Sequence, residues 1–71
     1  MNESISAVFP MFNEQYYLRR AIGAAEEAIS QITDDYEIII IDDASTDGSG
    51  EMADQLSREN NRIKVVHNNK N

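Results

Sequence analysis

Tyr36-Glu37-Ile38-Ile39-Ile40-Ile41-Asp42-Asp43-Ala44-Ser45-Thr46-Asp47-Gly48 is the stretch that decides the fold. Four consecutive isoleucines lack the in-out alternation of a half-solvated strand. They predict a strand over Tyr36 to Ile41 that is buried on both faces, the pattern of a central parallel strand. At Asp42 the composition turns to short polar residues, and Ser45, Thr46 or Asp47 offers an oxygen to cap a helix that follows. That second helix places Met52, Ala53 and Leu56 inward and closes at Asn60 and Asn61.

Upstream, Leu18, Ile22, Ala25, Ile29 and Ile32 are spaced by four, three, four and three residues, the stripe of a helix lying on a sheet. Its start is expected near Asn13 or Glu14, where a short polar side chain caps free N–H groups and a carboxylate suits the positive end of the dipole. Before it, Ser4 to Phe9 reads as a first strand ended by Pro10, which has no N–H for a ladder. Downstream, Ile63 to Val66 reads as a third strand, followed by the tail His67-Asn68-Asn69-Lys70-Asn71. The order is β-α-β-α-β. Helical crossovers of this length imply an α/β, Rossmann-like parallel half sheet with strand order 3-2-1. Two crossovers advancing in one direction put both helices on one face. The other face of the isoleucine strand is then bare, and further chain or a partner is expected to cover it.

The 71 residues form one domain at most, of a size whose core supplies only about 3–5 kcal/mol of net stability. No cysteine is present, and the single histidine, His67, has no second histidine with which to share a metal. Thirteen acidic against six basic residues, a net charge of −7, argue against nucleic acid as a partner. No apolar run approaches the roughly 20 residues that cross a bilayer, and the N-terminus does not read as a signal peptide, so a cytoplasmic location is expected.

In open α/β sheets ligands gather beyond the carboxyl ends of the strands, which directs attention to Pro10–Glu14, 42–48 and 67–71. Glu14 and Asp43 are suited to accept hydrogen bonds from a base N–H or a ribose hydroxyl. Neither a G-x-G-x-x-G fingerprint nor a P-loop follows the first strand, which weakens dinucleotide and ATP-hydrolysis readings. Ser45, Thr46 and Asp47 read as caps rather than nucleophiles, since no histidine base lies in sequence range. His67 reads as an ordinary tail residue rather than a pyrophosphate neighbour. Arg19 and Arg20, beside Glu26 and Glu27, read as a solvated face, and Tyr16 and Tyr17 as packing residues.

Val8-Phe9-Pro10-Met11-Phe12-Asn13-Glu14, followed across one helix by Glu37-Ile38-Ile39-Ile40-Ile41-Asp42-Asp43-Ala44-Ser45-Thr46-Asp47-Gly48, resembles the opening of family 2 glycosyltransferases. Those enzymes show a strand ending in P-x-[YF]-N-E and then one ending in D-D-x-S-x-D. The resemblance extends to Val65–Asn71 and is nearest to the branch that glycosylates polyprenyl or dolichyl phosphates. It implies that residues 1–71 are an incomplete nucleotide-sugar-binding domain, the N-terminal part of a GT-A fold. It also implies that positions matching Pro10, Phe12, Glu14, Ile41 and Asp43 contact the base and ribose of a UDP- or GDP-sugar donor. The family's later D-x-D motif, which holds Mg²⁺ or Mn²⁺, and its catalytic base have no counterpart here. No catalytic residue and no metal ligand are therefore assigned, and Asp42-Asp43 is not given the metal role.

The expected function is donor binding within an inverting transferase that acts on a membrane-borne acceptor at the cytoplasmic face of a membrane, with little or no activity from these residues alone. The alternatives are a partner-dependent binding module and a small receiver-like nucleotide-binding domain. Against the latter, no lysine follows the third strand at the spacing such domains use.

Overall fold

The computed structural model describes residues 4–69. Strand β1 is Ile5–Met11, helix α1 Leu18–Ser30, strand β2 Tyr36–Asp43, helix α2 Ser49–Glu59 and strand β3 Ile63–Asn68. The three strands are parallel in the order β1-β2-β3, with β2 central, the half sheet expected from the isoleucine run. Ala7 sits opposite Ile38 and Phe9 opposite Ile40, while Ile38 faces Ile63 and Ile40 faces Val65 across the other side.

Alternation along each strand separates two faces. One carries Ala7, Phe9, Met11, Ile38, Ile40, Ile63 and Val65, and both helices lie on it through Leu18, Ile22, Ala53 and Leu56. Ile38 and Ile40 are completely enclosed. The opposite face carries Val8, Ile39, Ile41 and Val66 and is covered by no described element, leaving Val8 59% and Val66 46% exposed. The run Ile38–Ile41 is thus doubly apolar, but only its even-numbered members are in the core.

Several boundaries depart from the sequence reading. Pro10 does not end β1, which continues to Met11. The missing N–H is tolerated because β1 is an edge strand. β2 and β3 each run two residues further than expected, through Asp43 and Asn68. Helix α1 starts at Leu18, not at Asn13 or Glu14, because Asn13 takes a left-handed conformation (φ 53°) and Glu14 opens a turn whose carbonyl accepts from the N–H groups of Tyr17 and Leu18. No side chain caps α1. Ile32, the last residue of the predicted stripe, falls beyond the helix and is 66% exposed. Arg19 leaves the expected solvated cluster to pair with Glu59 of α2 at 3.1 Å. Glu26 accepts from the Tyr36 hydroxyl and from Asn60. Of the tail, Lys70 and Asn71 lie outside the described residues.

Candidate functional site

The carboxyl ends of the three strands bring together the loop after β1 and the loop after β2, and both are built around one asparagine. Asn13 has the side chain best able to adopt φ > 0 while bonding nearby backbone. Its Oδ1 accepts from the N–H groups of Thr46 (2.8 Å) and Asp47 (3.2 Å), and its own N–H donates to Ser45 Oγ (3.1 Å). The next two residues continue the seam. Glu14 N–H donates to Ser49 Oγ at 3.3 Å, and Gln15 exchanges bonds with Asp47 and Gly48. None of the three candidates caps α2, whose N-cap is Gly48 with no side-chain cap bond; Asp47, one residue earlier, accepts from the Ser49 N–H at 2.8 Å. The Ser49 hydroxyl also donates to it. That bond holds the Asp47 carboxyl below its ordinary value. Ser45 and Thr46 bond Asn13 instead.

Asp42 and Asp43 divide sharply. Asp42 points to the helix-covered face and is only 6% exposed. Its Oδ1 accepts from the Ser45 N–H at 3.0 Å, and its Oδ2 meets His67 Nδ1 at 2.8 Å. Burial pushes its carboxyl up, but the bonds from Ser45 and His67 outweigh burial and hold it below the ordinary value. Asp43 points to the open face and is exposed; its backbone pairs with Asn68 in the sheet, and its carboxylate bonds no other described residue. Ala44 follows with φ 60°, an uncommon conformation for alanine that turns the chain sharply out of the strand.

His67 is not the ordinary tail residue expected from the sequence. Because β3 extends through Asn68, His67 lies on the same face as Ile63 and Val65, directly opposite Asp42. Its second nitrogen, Nε2, meets Asp54 of α2 at 2.8 Å. The bond to Asp54, then that to Asp42, raise its pKa above the usual histidine value. Continuing the strand alternation past Val65 would have placed His67 beside the Asp42 position; ending the strand at Val66 hid it.

The five residues expected at a donor site are disposed as follows. Pro10 and Ile41 are register partners on the open face, with Asp43 two positions beyond Ile41 on that face. Phe12, 51% exposed, and Glu14 stand in the loop after β1, and the Glu14 carboxylate bonds no other described residue. Glu14 and Pro10 also border a cleft of about 50 Å³ between β1 and α1, lined further by Phe9, Met11, Tyr17, Leu18 and Ala21. Small-molecule sites typically occupy about 300–1,000 Å³, so this cleft cannot enclose a nucleoside and the strand ends present an open platform. Tyr16 and Tyr17 do not pack as expected, being 86% and 63% exposed, because α1 begins after them. A larger groove, about 340 Å³, runs between the helices past Arg19, Glu59 and Asn60, at the opposite end of the sheet where Ile63 starts β3.

A divalent cation does not fit the residues described. Both Asp42 oxygens are taken, Asp43 stands alone, and among the described residues no group of three or more potential ligands converges.

The sequence matches the family described as Glycosyl transferase family 2 over residues 6–71. Glycosyltransferase GlyG of Streptococcus pneumoniae is 40% identical over 67 residues, covering 94% of this chain and 21% of that protein. Glycosyltransferase GlyA of the same species is 32% identical over 66 residues, 93% of this chain and 9% of its own. An undecaprenyl-phosphate 4-deoxy-4-formamido-L-arabinose transferase of Serratia proteamaculans is 40% identical over 50 residues, 70% of this chain and 15% of its own. The chain thus spans about a fifth or less of the length of these relatives.

Proposed function

The chain belongs to glycosyltransferase family 2, and on that premise we propose that it binds the nucleoside diphosphate part of a sugar donor at the carboxyl ends of its strands. Its three parallel strands and two helices are the Rossmann-like N-terminal part of the GT-A fold. The observation that carries the proposal is the pair of uncommitted carboxylates, Glu14 in the loop after β1 and Asp43 at the end of β2, where the loops after β1 and β2 are tied to each other through Asn13. In this reading Asp43 and Glu14 accept hydrogen bonds from the base and ribose. Phe12 offers an apolar face to the base, and Pro10 with Ile41 supplies the apolar floor beside Asp43.

As part of a complete enzyme, the domain would serve inverting transfer from a UDP- or GDP-sugar. The name of the Serratia relative supports a polyprenyl phosphate acceptor, and with such an acceptor the enzyme would work at the cytoplasmic face of a membrane. No helix among the described residues is long and apolar enough to cross one. Mg²⁺ or Mn²⁺ would neutralise the donor diphosphate in such an enzyme, held by residues other than Asp42 and Asp43. Residues 1–71 by themselves would be a poor catalyst, since none of the described side chains is placed to stabilise a leaving diphosphate or to activate an acceptor.

Titration of the chain with UDP and GDP, with and without Mn²⁺, followed by ¹H–¹⁵N NMR, tests the reading. Saturable shifts at Glu14 and Asp43 that need no metal are expected, and Asp43→Asn should weaken binding about tenfold, the worth of a charge-assisted hydrogen bond. A folded chain whose Glu14 and Asp43 signals never move would sink it. The uncovered apolar face supports a second reading, a module completed by a partner lying over Val8, Ile39, Ile41 and Val66. Concentration-dependent folding would favour it, whereas a stable folded monomer would not. The receiver-like alternative falls with the family assignment.

A further inference from the structure

Three elements meet at His67. The ring lies on β3, with Asp42 of β2 at Nδ1 and Asp54 of α2 at Nε2, each at 2.8 Å. Among the described residues these two carboxylates are the charged groups that face it. The nearest cation on its own strand, Lys64, points to the opposite face of the sheet. The space is tight, since a Cβ at Gly50 would come within 2.7 Å of Asp42 Oδ2 and 3.8 Å of the ring Cε1.

From this junction two hydrogen-bond routes lead to the loop carrying Glu14 and to the loop that follows Asp43. Through β2, Asp42 holds the Ser45 N–H, and Ser45 Oγ accepts from the Asn13 N–H. Through α2, Ser49 at the start of the helix accepts from the Glu14 N–H. An imidazolium donates one N–H to each carboxylate, whereas neutral imidazole has one N–H and must turn a lone pair toward one of them. At 2.8 Å a lone pair against a carboxylate oxygen is repulsive, so losing the proton breaks one side of the junction. Asp42, almost wholly buried, has the greater need of the donor, while half-exposed Asp54 can turn to water, so the break falls on the α2 side.

Resting on the donor-site reading above, we propose that His67 is a positioning residue for that site, its doubly protonated ring locking β2 and α2 together so that the loops hold Asp43 and Glu14 in place. The ring does not touch the donor. It acts through Asp42 and through α2.

The test follows the His67 ring protons and the Ser45, Thr46 and Glu14 amides of the chain by NMR from pH 5.5 to 9, with UDP and GDP titrations at both ends of the range. The amides are expected to move with the ring's own midpoint, and nucleotide affinity to weaken about two- to fivefold across it, the size of a partly exposed ion pair. His67→Gln keeps a neutral donor but cannot titrate, so its affinity should be flat with pH and equal to the wild-type value at high pH. Asp54→Asn leaves the Asp42 contact intact and keeps the proposal testable if His67→Gln does not fold. It should lower the ring midpoint, with the amides following. Amides that ignore the ring titration, or nucleotide binding unchanged with pH and by His67→Gln, would overturn the proposal and leave the donor reading standing. Amides that track the ring without nucleotide binding at any pH would uphold the loop coupling and remove the donor reading instead.

Discussion

Ile40 is fully enclosed between the sheet and both helices, while its neighbour Ile39 points to the uncovered face and is half-buried. Ile40→Ala removes buried atoms and leaves a cavity, a loss of about 2–5 kcal/mol. For a domain of this size that approaches the whole of its stability, about 3–5 kcal/mol, so the variant should be largely unfolded at 25 °C. Ile39→Ala removes a partly solvated side chain and should cost only about 1 kcal/mol. Urea denaturation followed by circular dichroism separates the two. Equal losses would mean that the open face is covered in solution, by a second copy or a partner. The same contrast between adjacent residues governs Asp42 and Asp43, one sealed in hydrogen bonds and the other presented to solvent.

Helices α1 and α2 each contain a glycine, and the two have opposite consequences. Gly23 is exposed in the interior of α1, and a Cβ there meets nothing within 4 Å. Gly23→Ala should therefore stabilise the domain by about 0.5–1 kcal/mol through helix propensity and a less flexible unfolded chain. Gly50, in the first turn of α2, lets the helix approach the Asp42 carboxylate. Gly50→Ala would place a methyl 2.7 Å from Oδ2, on a group already fixed by Ser45 and His67. A loss of about 1–3 kcal/mol is expected, as for overpacking, together with a changed His67 titration. If both alanine variants melt higher than wild type, the approach of α2 to Asp42 is looser than described. The ends of the elements are set by the seam between loops. Asn13 delays α1 to Leu18, while α2 begins after Gly48, with Asp47 bonding its first residue, Ser49.

Across the whole molecule, the titrating groups define a pH window for stability. Asp42, Asp47 and Glu59 have carboxyls held below their ordinary values, so what they contribute is present above about pH 4 and is lost as the pH falls through their folded values. His67 has a raised value, so its contribution is complete below about pH 6.5 and is lost as the pH rises through the folded value. The urea midpoint should therefore be highest between about pH 4.5 and 6.5 and decline on both sides. A midpoint that stays level from pH 6 to 9, or a decline there that persists in His67→Gln, would contradict the clamp on His67. This decline would occur while the open apolar face stays unchanged, so it is separable from any association through Val8, Ile39, Ile41 and Val66.

The residue pattern alone determined the element order, the parallel half sheet with the isoleucine strand at its centre and the single helix-bearing face, and it pointed to the strand ends for the proposed donor site. These follow from periodicity and from chain connectivity, which are local properties. The motif pair around Asn13-Glu14 and Asp42-Asp43 likewise carried the family. Only the tertiary structure decided which isoleucines are core, that Pro10 sits inside an edge strand, that Asn13 is a loop hub rather than a helix cap, and that His67 is gripped by two carboxylates. Each of these depends on partners 13 or more residues apart in sequence or on strand register. Hydrogen-bond partners and register are set by how the elements dock, and no local pattern of side chains encodes them.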